Sequence, residues 1–154
     1  MAPPTSSRLE AIRAQLIVEL KKIKTANGYL SNIDDLAVSS RPNEWRNYSF
    51  DLLPGVLLLL DSGSREIQKP RGSRTKRYMK LLFRLDCREV EGFVQIARLE
   101  SDLQYLLLQN IPLNNGTNDL VVQIKMLDDR TTQGVFDPIE IWTVTVEVIY
   151  HANY

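Results

Sequence analysis

Apolar residues recur at Leu9, Ile12, Leu16, Leu20 and Ile23, three or four positions apart. That spacing lays one stripe along a helix of about 18 residues. Ser7-Arg8-Leu9-Glu10 has the form of a capping box at its start. Lys21, Lys22 and Lys24 fall where cations suit the end of the helix dipole, and Asn27-Gly28 supplies the stop. A second stripe runs through Phe93, Ile96, Leu99, Leu103, Leu106 and Leu107. It predicts a helix over 91–109, closed by Pro112 and Asn115-Gly116.

Elsewhere the period is two. Met79, Leu81, Phe83, Leu85 and Cys87 alternate with Lys80, Leu82, Arg84, Asp86 and Arg88, which predicts a half-buried strand over 78–88. Trp142, Val144, Val146, Val148 and Tyr150 alternate with Thr143, Thr145 and Glu147 in a long strand over 139–150. Val56 to Leu60 is a short continuous apolar run after Pro54-Gly55, which suits a central strand covered on both faces. A weaker extended segment is expected over 29–38, where Asp34-Asp35 interrupts the apolar anchors, and a further extended segment over 120–127. Residues 39–51 read as a polar loop around Trp45.

Five strands and two helices then make an α+β fold in a single domain over 1–154, with 1–6 a loose arm. Two helices are too few to dress both faces of such a sheet. The expected architecture is a mixed or antiparallel sheet with both helices on one face. The other face is then exposed in a monomer or covered by a partner. The long last strand has only Glu140 and Glu147 as charges, so it should lie either mid-sheet or against a neighbouring subunit.

Composition narrows the chemistry. Nineteen basic and nineteen acidic residues give a formal net charge of zero. There is thus no global drive toward nucleic acid or membrane, and association is favoured. The bases are nevertheless clustered. Between Arg65 and Arg77 lie Arg65, Lys69, Arg71, Arg74, Lys76 and Arg77 against Glu66 alone, six bases against one acid, a net of +5. With strands on either side, 62–77 reads as a long basic hairpin arm, mobile when free. It could be a solvated tip, a nonspecific contact to nucleic-acid backbone, or a segment that orders against an acidic partner subunit. Tyr78 is its only nearby aromatic, fewer than single-strand binding calls for.

Catalytic and metal constellations are not built. The one histidine, His151, sits near the end of the sequence, poorly placed for proton transfer. Cys87 reads as a buried, inert thiol, and one cysteine forms no disulfide within the chain. Asp34-Asp35 and Asp128-Asp129 read as turn formers. No phosphate-loop glycine pattern occurs. The expectation is a non-enzyme with no cofactor, no metal, no membrane segment and a cytoplasmic site of synthesis; the longest apolar run is far short of the ~20 residues a bilayer needs.

Certain letters resemble a family. An amphipathic helix leads into Ile23-Lys24-Thr25-Ala26-Asn27-Gly28-Tyr29 and Leu30-Ser31-Asn32-Ile33. Leu52-Leu53-Pro54-Gly55 precedes a buried strand, and Trp142-Thr143-Val144-Thr145-Val146-Glu147-Val148 closes the chain. This pattern is similar to tail terminator, or tail completion, proteins of long-tailed bacteriophages of the lambda type. The resemblance implies a homo-hexameric ring at the head–tail junction of a virion, with the tail tube protein and the head–tail connector as partners. Viral DNA would pass through its channel without being read. Arg65, Lys69, Arg71, Arg74, Lys76, Arg77 and Trp45 become the candidate contact residues. A neck, stopper or tail-tube subunit, and a nucleic-acid-binding module acting through the arm, remain the alternatives.

Overall fold

A computed structural model describes residues 7–42, 50–68, 74–88, 90–109, 113, 119–133 and 138–151, with 61–68 described by their backbone alone. Two helices, α1 (Arg8–Leu20) and α2 (Gly92–Gln109), accompany five strands: β1 (Val38–Ser39), β2 (Gly55–Gln68), β3 (Arg74–Asp86), β4 (Gln123–Thr131) and β5 (Ile139–His151). They form one sheet in the order β1-β2-β3-β5-β4. Only β1 and β2 run parallel, so the sheet is mixed and the fold is α+β.

The alternation along β3 decides which face is core. Met79, Leu81, Phe83 and Leu85 are buried, and their register partners on β5 include Trp142, Val144 and Val146. Both helices cover this face. Leu16 and Leu20 of α1, and Leu103, Leu106 and Leu107 of α2, surround a void of about 10 Å³ together with Leu58, Met79, Leu81 and Val146. A void that small holds no more than one water, so the layers are close-packed. The central strand pair is stiffened by Phe83 and Trp142, whose ring centroids lie 5.3 Å apart.

β5 lies mid-sheet, hydrogen-bonded to β3 on one side and β4 on the other. This removes the hazard of a long, nearly uncharged edge. β2 behaves differently from the strand expected at Val56–Leu60. It is covered on both faces only at its start, where Val56, Leu57 and Leu58 are buried. It then continues to Gln68, and only Val56 and Leu57 have partners in β1.

Four local expectations change. Helix α1 ends at Leu20, so Lys21, Lys22 and Lys24 lie beyond its last turn. The chain tightens there into i→i+3 bonds, Lys22 N–H to Glu19 O and Ile23 N–H to Leu20 O. Ile23 stays buried, which is why the apolar period outlasts the helix. Residues 29–38 are turns rather than a strand until Val38, because Asp34 caps a short 3₁₀ turn at Asp35–Ala37 by accepting from Leu36 N–H. β4 begins at Gln123, three residues later than the apolar letters. Cys87 falls just after β3, half-buried in a turn, its N–H donated to Pro138 O at 2.9 Å. No helix among the described residues is long and apolar enough to cross a membrane.

Candidate assembly surface

The basic arm is a strand ladder. β2 and β3 pair from Gly55/Arg84 to Asp61/Tyr78, then resume at Arg65/Arg77 and run to Gln68/Arg74. Ser62, Gly63 and Ser64 have no counterpart on β3, so the arm leaves the sheet through a bulge, which bends and re-aims the strand. In place of a segment that orders only on contact, Arg65–Gln68 and Arg74–Arg77 are laddered, because β5 runs the full length of β3 as a third strand, to Arg74/His151. Three strands persist where a lone hairpin would be marginal.

The ladder fixes the predicted contact residues. Arg74 opens β3, is exposed, and lies between Gln68 and His151. Lys76 lies between Glu66 and Ile149, and Arg77 between Arg65 and Val148; both are half-buried. Alternation puts Arg74 and Lys76 on the face away from the helices and Arg77 on the helix-covered face. Lys69, Arg71 and Trp45 lie outside the described residues.

The face away from the helices carries the row that alternation predicts at Lys80, Leu82, Arg84, Thr143, Thr145 and Glu147. Along β3 it presents Arg74, Lys76, Tyr78, Lys80, Leu82 and Arg84, and along β5 Ile141, Thr143, Thr145 and Glu147. Tyr78, Leu82, Ile141, Thr143 and Thr145 are half-buried, and among the described residues neither helix lies on their side of the sheet. A cleft of about 360 Å³ opens there between Tyr78, Lys80, Leu127, Asp128, Arg130, Thr143 and Thr145. Lys125 approaches Glu147 at 3.8 Å beside it. A second groove, about 430 Å³, runs along the β2 edge between Leu9, Glu10 and Arg13 of α1 and Leu58, Leu60 and Met79.

The turn after α1 is knotted to α2. Asp102 of α2 is buried and accepts two backbone N–H bonds, from Leu30 at 2.7 Å and Ser31 at 2.9 Å. Tyr29 stands edge-on to Tyr105 at 5.7 Å. Asn32 Oδ1 accepts from Thr25 N–H and from its hydroxyl, and Lys24 Nζ donates to Lys21 O, Ile33 O and Asp35 Oδ1. Gly28, at φ +91°, makes the left-handed step that a side chain would strain. These bonds hold Leu30 57% and Leu36 74% exposed at the surface. Phe93 and Leu108 of α2 are also exposed, at 79% and 74%. Single exposed apolar residues such as these are ordinary on a folded domain.

The acid on the buried side of α2, beside Leu99, Leu103 and Leu106, was the overlooked signal for Asp102. Its replacement by Ala strips two backbone donors of a charged acceptor. A loss of about 2–4 kcal/mol is expected by thermal melting, with Asp102→Asn retaining part of it.

Two aspartates are held below the ordinary carboxylate range: Asp35 by the Lys24 hydrogen bond, and Asp86 by the side-chain hydrogen bonds from Arg88. Each folded value lies below the unfolded one, near 3.9. Their stabilisation is therefore present above that value and lost as pH falls through the lowered one. A carboxyl NMR titration should show both midpoints below the ordinary aspartate value. Burial raises the Tyr29 phenol.

Among the described residues no group of three or more His, Cys, Asp or Glu is placed to hold a metal. His151 is exposed at the end of β5.

No protein-family model matches the chain, and no curated protein matches it. Among solved structures it is similar to a chain of the virion of a native gene transfer agent particle. The two are 12% identical, the match covers 76% of this chain and 80% of that chain, and the TM-score is 0.49.

Proposed function

We propose that this chain is a structural subunit of a phage-type virion, and that copies of it close into a ring capping the tail tube. By resemblance to lambda-type tail terminators the ring has six subunits, ends tube growth and presents a surface to the head–tail connector. It sits at the head–tail junction, is assembled in the host cytoplasm, and lets DNA pass through its channel. No bond is made or broken; the work is shape complementarity.

The observation that carries this reading is the one-sided sheet. Among the described residues both helices cover one face, the other face ends half-buried and undressed, and the β2–β3 ladder continues beyond a bulge as a basic arm. A head-to-tail ring needs two different complementary surfaces per subunit. The open face and the β2-edge groove, which is lined on the helix side by Leu58 and Met79, are the two candidates.

Electron microscopy of the protein mixed with purified tail tubes tests the reading. A single extra layer at one tube end agrees with a cap. Long stacks of the protein alone would mark a tube subunit instead, and bare tube ends would end the proposal. The row Arg74, Lys76 and Lys80 on one face keeps a second reading, contact with nucleic-acid backbone. Failure to retain DNA on a filter at ~50 mM salt removes it.

A further inference from the structure

The order β1-β2-β3-β5-β4 gives the sheet two unlike ends. At one end β1 partners only Val56 and Leu57, and β2 runs on past it beside the groove of about 430 Å³. That groove is lined by apolar Leu9, Leu58, Leu60 and Met79, and by Glu10 and Arg13 of α1, which are both exposed. Three residues apart on a helix, Glu10 and Arg13 have Cβ atoms about 5–6 Å from each other.

The other end is β4. Its ladder with β5 slips between Met126 and Asp128, so Leu127 has no counterpart. A bulge of this kind blunts an edge against strand pairing and re-aims a side chain. Leu127 is exposed on an edge otherwise marked by exposed Lys125, Asp128, Asp129 and Arg130. Asp128 and Arg130 lie opposite Thr145 and Thr143 and line the open-face cleft together with Leu127. Two residues apart on a strand, they stand about 7 Å from each other. Among the described residues none of Glu10, Asp128 and Arg130 forms an ion pair, and Arg13 donates only to Ser40 Oγ.

We propose that these two ends dock on each other between copies of the chain. Leu127 of one copy enters the β2-edge groove of the next, with its Asp128 against Arg13 and its Arg130 against Glu10. The signs are complementary and the two spacings nearly equal. Burial of the leucine supplies attraction, and the flanking charges fix the orientation. A lone exposed leucine is ordinary. Leu127 differs because a bulge presents it, and because apolar lining flanked by the opposite charges lies at the far end of the same sheet. A contact between opposite ends is head-to-tail and can close a ring, whereas a contact between like ends stops at a dimer. The contact names the partner for the assembly reading, and it rests on that reading for ring closure alone.

Cross-linking tests it. Leu60→Cys and Leu127→Cys are placed in one chain that also carries Cys87→Ser, and the purified protein is oxidised. The expected result is a ladder of disulfide-linked multimers on a non-reducing gel, while each single-cysteine variant gives nothing beyond a linked dimer. Dimers alone, or monomer throughout, from the double-cysteine chain overturn the contact and leave the groove to another occupant. Added to that chain, Glu10→Arg should lower the multimeric fraction roughly three- to tenfold, and Arg130→Glu should do the same. The two together should restore it, which damage to the fold could not do. Failure of the rescue overturns the charge pairing. A ladder that never yields a closed species keeps the contact and refutes the ring.

Discussion

A variant with Arg71, Arg74, Lys76 and Arg77 all replaced by serine is expected to fold as the parent does and to yield tails that do not join heads. The fold should survive because none of the four belongs to the buried core, which draws on β3 through Met79, Leu81, Phe83 and Leu85. Arg74 is exposed, and Lys76 and Arg77 are half-buried at the arm's root. Substitutions at such positions change stability far less than core ones. Assembly should fail because every subunit loses four charges from its arm. A ring repeats each deficit at every interface, so loss of even ~1.4 kcal/mol per contact, tenfold in affinity, multiplies around the closed assembly. Circular dichroism checks the fold, and plaque formation by complementation checks joining. Normal titres from a folded variant would remove the arm from the mechanism.

Trp142→Ala should be the most destabilising single change. The indole is fully buried, packs on Phe83, and donates Nε1–H to Asp129 Oδ2 at 2.7 Å. Truncating a buried Trp costs about 3–5 kcal/mol from lost transfer energy and the cavity left behind. For a chain of this length that is a fall of roughly 6–20 °C in melting temperature. Trp142→Phe separates the two contributions. It keeps much of the ring contact with Phe83 but loses the bond to Asp129 and part of the indole's buried volume, so it should cost less, roughly 1–3 kcal/mol. The Asp129 contact also explains an oddity of β4. Its register shifts between Met126 and Asp128, and that step brings Asp129 opposite Val144, beside the indole.

Much of the architecture was legible because its signals are periodic. The alternation in β3 and β5 named the buried row residue by residue, and the shortage of helices foretold a sheet dressed on one side. What failed was governed by groups whose partners are far away in sequence or provide no period. Leu60 ended the apolar run, so β2 looked short; its continuation to Gln68 depends on hydrogen bonds to β3, which β5 supports in turn. The end of α1 was set by Lys24, whose amine reaches Lys21 O and Ile33 O, a bond no propensity encodes. Residues 29–38 carry apolar anchors as a strand would, yet Asp102, some seventy positions away, takes the N–H groups of Leu30 and Ser31. Of the candidate contact residues, the charge cluster was plain, but which arginine faces which side was fixed only by register. That register separated Arg77 from Arg74 and Lys76.

The proposed cap is tested most directly by mass. Light scattering should be measured on the protein alone and on the protein mixed with purified tail tubes. Uptake should saturate at one ring's worth of subunits per tube end, with no growth beyond it. Uptake that continues without limit, or none at all, would contradict it.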